Sequence, residues 1–187
     1  MIDKHFISAQ ELLEDSFRLA LMVLKSGFRP SFIVGVWRGG TPVGIAVQEL
    51  LEAFDVRADH IAIRTSSYTG INQRGKEVRV HGLGYVVRHV DAEDPLLLVD
   101  DVFDTGLSLQ AVLTALRARC RRNMPRDVRI ATPWYKPASN RTDLVPDYFV
   151  HESNRWLVFP HELDGLSREE ILEHKAGLRG LYEEFGV

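Results

Sequence analysis

Residues 96–108, Leu-Leu-Leu-Val-Asp-Asp-Val-Phe-Asp-Thr-Gly-Leu-Ser, constrain this chain more than any other stretch, because four apolar residues run into a carboxylate cluster and then a hydroxyl-bearing turn. The apolar run is too short for a helix and is bounded by Pro95, which suits a parallel strand buried on both faces. Asp100 and Asp101 then fall at its carboxyl end, the edge of an open α/β sheet where ligands bind. Beyond Ser108, Leu109, Val112, Leu113 and Leu116 recur with a helical period, so the turn over 104–108 presents backbone N–H groups at a helix N-terminus. A phosphate suits that position. Carboxylates cannot bind phosphate themselves, but they can take sugar hydroxyls or hold Mg²⁺ beside it.

The rest of the chain supports a single α/β domain over residues 1–187, a size that allows a full core at 45% hydrophobic content. A net charge of −3, spread along the sequence, gives no basic stripe for nucleic acid. The sole cysteine, Cys120, cannot make an internal disulfide, and a reducing cytoplasm is the expected setting. No signal peptide or membrane span is expected, since acids occur by residue 15 and no stretch approaches 18 apolar residues. Ser8 and Glu11 form a capping box for a helix that Gly27 ends. Strands are expected over 32–36, 60–63, 128–132 and 148–150, with helices over 41 to about 54 and from Ser167, where Glu170 completes a second capping box. Residues 69–84 are polar, glycine-punctuated and without helical period, which reads as a long loop with possible hairpin pairing. The seven histidines, His5, His60, His81, His89, His151, His161 and His174, show no zinc-ligand spacing with one another or with Cys120. Neither a Gly-x-x-x-x-Gly-Lys loop nor a Gly-x-Gly-x-x-Gly fingerprint follows a strand, so ATPase and dinucleotide readings lose their main support.

The pattern over 96–108 resembles the phosphoribosyl-pyrophosphate (PRPP) signature of the type I phosphoribosyltransferases: apolar strand, two acids, two apolar residues, Asp-Thr-Gly, one residue, then Ser or Thr. Arg38-Gly39-Gly40 after a strand fits a plain tight turn by itself; beside the signature it resembles the family's pyrophosphate loop, where the Trp37–Arg38 peptide can be cis. Ser66-Ser67-Tyr68 resembles the flexible loop of the 6-oxopurine members, which places a mobile lid at about 65–85, an ordinary hairpin being the other reading. Lys136-Pro137-Ala138, followed by Trp156, Leu157 and an acid at Glu162, resembles their purine-binding half and places a hood at about 133–165.

The resemblance implies a central parallel twisted sheet flanked by helices, with a small hood from loop and C-terminal segments. It also implies Mg²⁺-dependent transfer of the phosphoribosyl group from PRPP to a 6-oxopurine in purine salvage. Asp100 and Asp101 would serve the ribose hydroxyls and, with Glu162, the metal. Arg38 and Gly39 would hold pyrophosphate, and Thr105, Gly106, Leu107 and Ser108 the 5′-phosphate. Asp104 would assist proton transfer, Lys136 would meet the 6-oxo group, and Trp156 and Leu157 would hold the base. A homodimer or homotetramer is the family habit. Two positions depart from the pattern: Leu107 stands where many relatives carry Lys or Gly, and Glu162 where relatives often carry Asp. Two other classes stay open at this stage. One is a non-catalytic PRPP or nucleotide sensor of the same fold. The other is a phosphoacceptor receiver domain, in which the acid pair follows the first strand, whereas about three strands precede it here.

Overall fold

The structure, a computed structural model, describes residues 3–68 and 77–186. They fall into two compact units, one of residues 13–154 and one formed by both chain ends, 1–12 and 155–187.

The larger unit is built on a seven-stranded sheet. Its strands are β2 (Phe32–Trp37), β3 (Asp59–Tyr68), β4 (Glu77–His81), β5 (Leu96–Val99), β6 (Val102–Phe103), β7 (Val128–Tyr135) and β8 (Tyr148–Glu152). They run in the order β4-β3-β2-β5-β7-β6, with β8 also on β7. Every pairing is parallel except the β3–β4 hairpin. The all-apolar β5 sits at the centre, and each of its four residues is buried, as the strand's composition requires. Helices α2 (Gly40–Ala53), α3 (Gly84–His89) and α4 (Leu107–Cys120) flank the sheet. Leu109, Val112, Leu113 and Leu116 of α4 pack in the same core as Phe32, Val34, Leu96 and Leu98. Helix α1 (Ala9–Lys25) opens with the expected reciprocal cap: Glu11 N–H donates to Ser8 Oγ at 3.1 Å and Ser8 N–H to Glu11 Oε2 at 2.8 Å.

Several element boundaries differ from the sequence expectation. Strand β7 continues past Thr132, through Pro133 to Tyr135, because Pro133 lies between the residues that pair with β5 and those that pair with β6, where no N–H is demanded of it. Strand β3 extends to Tyr68 and pairs antiparallel with β4 over 77–81, which is the hairpin pairing that the sequence left open; α3 starts at Gly84, where the sequence predicts no helix. Within the expected lid, residues 69–76 lie outside the described residues.

The terminal unit holds a two-stranded parallel sheet of β1 (Lys4–Phe6) and β9 (Trp156–Val158), together with α5 (Arg168–His174) and α6 (Ala176–Phe185). The Ser167–Glu170 capping box starts α5 as expected. Lys4 Nζ holds both Glu170 carboxylate oxygens, at 2.6 and 2.8 Å, and the rings of Phe6 and His174 stack at 3.7 Å, tying β1 to α5. Among the described residues, no helix is long and apolar enough to cross a membrane.

Candidate active site

The parallel pairing of β2 with β5, in which Gly35 lies opposite Val99, brings two strand ends side by side. One continues into Arg38-Gly39-Gly40 and the other into Asp100-Asp101. Their contact explains both glycines. A Cβ on Gly39 would overlap the Asp101 carboxylate, and one on Gly40 would overlap the Val99 carbonyl and the Asp100 backbone. Asp101 is 8% exposed, and Asp100 Oδ1 accepts the Asp101 N–H at 3.0 Å. Burial first, and the Asp101 carboxylate second, push the Asp100 carboxyl well above the usual carboxylate range, against the lowering effect of the Asp101 and Gly40 N–H groups. Arg38 is exposed, and the Trp37–Arg38 peptide is cis.

Past the acids, β6 pairs with the end of β7, and Lys136 N–H donates to the Phe103 carbonyl at 2.9 Å. That register sets Lys136 against Asp104: Nζ lies 3.2 Å from Oδ2, with the lysine side chain 14% exposed. The intervening turn ends at Gly106, whose φ of 75° is left-handed and caps α4. The N–H groups at the start of a helix have no intrahelical carbonyl, so those of residues 106–109 lack helix partners, that of Leu107 donating to Thr105 Oγ1 at 3.5 Å. A cavity of about 200 Å³ opens there, lined by Asp100, Asp101, Asp104, Thr105, Gly106 and Ser108 among others. Leu107 does not share it. It lines a separate cleft of about 570 Å³ along α4.

These elements form a cradle for an anion, flanked by two carboxylates on one side and a Lys–Asp pair on the other, on one edge of a parallel sheet. The phosphoribosyl transferase domain family matches residues 8–165. This chain belongs to that family. The match spans both compact units. The chain is 24% identical over 185 residues to a hypoxanthine-guanine phosphoribosyltransferase of Bacillus subtilis, covering 97% of each. It is similar to the solved purine phosphoribosyltransferase of Pyrococcus horikoshii, at 25% identity and a TM-score of 0.68, covering 89% of this chain and 99% of that one. A Neisseria gonorrhoeae protein solved with bound ppGpp shares the fold at 19% identity, with a TM-score of 0.76 over 96% of this chain and 99% of that one.

In this phosphoribosyltransferase, the remaining predicted site residues are distributed as follows. Ser66, Ser67 and Tyr68 are the last three residues of β3, opposite Arg79, Val78 and Glu77, and Ser66 Oγ lies 3.1 Å from His81 Nε2. Trp156, Leu157 and Glu162 belong to the terminal unit. Trp156 is 54% exposed, whereas Leu157 is buried. Glu162 Oε2 accepts the Phe159 N–H at 3.1 Å, which engages one oxygen of the carboxylate expected at the metal. His151 lies 2.8 Å from buried Asp15, and among the described residues no three His, Cys, Asp or Glu side chains could hold a metal together.

Sequence reasoning missed the support behind the turn over 104–108. Arg141 N–H donates to the Thr105 carbonyl at 3.0 Å, and Asn140 Oδ1 accepts from both the N–H and the hydroxyl of Thr142. A Cβ on Gly106 would overlap Thr142 Oγ1 and the Phe103 ring. Asn140 followed two residues later by Thr142 is the signature of a side-chain-closed turn and could have flagged this loop.

Proposed function

We propose that this chain is a Mg²⁺-dependent enzyme that transfers the 5-phosphoribosyl group of PRPP to N9 of a 6-oxopurine. The products are the nucleoside monophosphate and pyrophosphate, as in purine salvage, with residues 1–187 acting as one phosphoribosyltransferase domain. The observation that carries the substrate class is the Asp104–Lys136 pair at the edge of the phosphate turn. An ammonium has three donors and no acceptor, so it meets a 6-oxo group and favours the negative charge that builds on that oxygen as the ring nitrogen attacks. Asp104, beside it, is the base that takes the proton from the purine imidazole ring.

The other roles follow from charge. Thr105, Gly106, Leu107 and Ser108 hold the 5′-phosphate through main-chain N–H groups and the two hydroxyls. Arg38 and the Gly39 backbone take pyrophosphate, to which a guanidinium offers two parallel hydrogen bonds. Asp100 and Asp101 take the ribose hydroxyls and favour the cation that develops at the anomeric carbon. Trp156 stacks on the base and Leu157 offers its main chain, while residues 66–68 are the segment that covers the reacting centre. The paired acids also suit Mg²⁺, which is bound by one or two carboxylates with water and substrate phosphates completing its shell. Burial of Asp100 beside a second carboxylate is relieved by a divalent cation, which fits this donor set. When bound, Mg²⁺ offsets the charge that leaves on pyrophosphate. Glu162 gives one oxygen to the Phe159 N–H, which leaves its other oxygen for the role expected of it at the metal. The working form is a homodimer or homotetramer.

Incubating the protein with PRPP and hypoxanthine, with Mg²⁺ or with a chelator, tests this reading. Inosine monophosphate and pyrophosphate should form in equal amounts, and only with Mg²⁺. PRPP binding without any nucleotide product would favour the sensor reading instead.

A further inference from the structure

In the terminal unit, β9 pairs with β1 through alternate residues. Trp156 N–H donates to the Asp3 carbonyl at 3.1 Å, and the Val158 carbonyl accepts the Ile7 N–H at 3.0 Å. In a parallel ladder this register turns the peptide groups of Trp156 and Val158 toward β1 and those of Leu157 away from it. Among the described residues, the Leu157 main chain has no hydrogen-bond partner. The next residue facing the same way is Phe159, and its peptide groups are held from two directions. Its N–H donates to Glu162 Oε2, while its carbonyl accepts the Glu162 N–H at 3.0 Å and Lys175 Nζ at 2.6 Å. The Glu162 bonds close a local turn. Lys175 is different, because it lies between α5 and α6, outside the residues the family matches, and it anchors the turn to that helix pair. A hydrogen bond from an ammonium to a carbonyl is among the stronger ones available to a protein.

We propose that Lys175 is a positioning residue for base recognition: through the Phe159 carbonyl it fixes the free edge of β9, so that the Leu157 carbonyl meets the 2-position of the purine in register and accepts from a 2-amino group there. This rests on reading residues 156–162 as the base-binding segment. The chemistry of the substrates separates a positioning role from a merely structural one. Guanine carries a 2-amino group that needs a placed acceptor, whereas hypoxanthine carries only hydrogen there. An edge left free to shift penalises guanine and leaves hypoxanthine nearly untouched.

The test is kcat/KM for guanine and hypoxanthine with wild type, Lys175→Met, Lys175→Arg and Trp156→Ala. Lys175→Met should lower kcat/KM for guanine about tenfold more than for hypoxanthine, the scale of one misplaced hydrogen bond. KM for PRPP should stay within about twofold, and Lys175→Arg, which keeps a charged donor, should recover most of the loss. An equal loss on both bases, or an unchanged guanine value, overturns the proposal. Trp156→Ala should raise KM for both bases alike. If it moves neither, or if wild type uses neither base, the reading of the segment fails and the clamp with it; if it raises both while Lys175→Met leaves the guanine-to-hypoxanthine ratio unchanged, only the clamp fails.

Discussion

The proposed chemistry rests most sharply on Asp104 and Lys136, which are distant in sequence yet lie 3.2 Å apart between side chains. Replacing Asp104 with Asn keeps the shape of the carboxylate and removes its capacity to take a proton. Turnover should fall by roughly 10² to 10⁴ while PRPP affinity changes little, as steady-state kinetics with a PRPP binding titration would show. Near-normal turnover would remove Asp104 from the proton-transfer role. The two glycines of the β2–α2 turn make a second, contrasting pair. At Gly40 an added methyl meets the Val99 carbonyl and the Asp100 backbone, neither of which can rotate away, so Gly40→Ala should cost about 1 to 3 kcal/mol in urea unfolding. At Gly39 the methyl meets only the Asp101 side chain, so Gly39→Ala should be the milder change in stability and the severer one in KM for PRPP. The reverse order would contradict the packing argument. Both acids and both glycines were legible in the sequence as motifs. That they touch was not, because contact between two strand ends depends on the β2–β5 pairing rather than on local pattern.

The elements divide along the same line. Helix α1, with two independent signals, a capping box and a period, came out as expected, and α4 did so on its period alone. Strand β7 did not, because a proline ordinarily argues against a strand interior, and only the handover from β5 to β6 makes Pro133 harmless. Strands β1 and β9 are three residues each and their pairing joins the two ends of the chain, so no local window contains the reason for either. The tie between β1 and α5 supplies a pH prediction. The hydrogen bond from Lys4, followed by that from Ser167 N–H, holds the Glu170 carboxyl below its usual range. A group with a lowered pKa in the folded state stabilises above its unfolded value and loses that contribution as pH falls through the folded one. Glu170→Gln, which keeps the capping box, should therefore melt below wild type at neutral pH, with the gap closing under acid conditions below about pH 4. A gap in Tm that does not change with pH would show that Lys4 gains nothing from the charge.

Taken as one catalyst, the protein shows how a family assignment and a substrate assignment rest on different observations. The family follows from a match over residues 8–165. The proposed substrate class rests on one ammonium, Lys136, held 3.2 Å from Asp104. Sites built around a polar group of the true substrate reject a mismatched analogue by about 10⁴, because donor set against donor leaves a charge unpaired. The decisive measurement is kcat/KM with PRPP and Mg²⁺ for hypoxanthine and adenine, on wild type and on Lys136→Met. Wild type should use hypoxanthine and reject adenine by several orders of magnitude, and Lys136→Met should lose most hypoxanthine activity while its poor adenine rate hardly changes. Adenine converted by wild type as fast as hypoxanthine would contradict the assignment of Lys136 and the 6-oxopurine reading together.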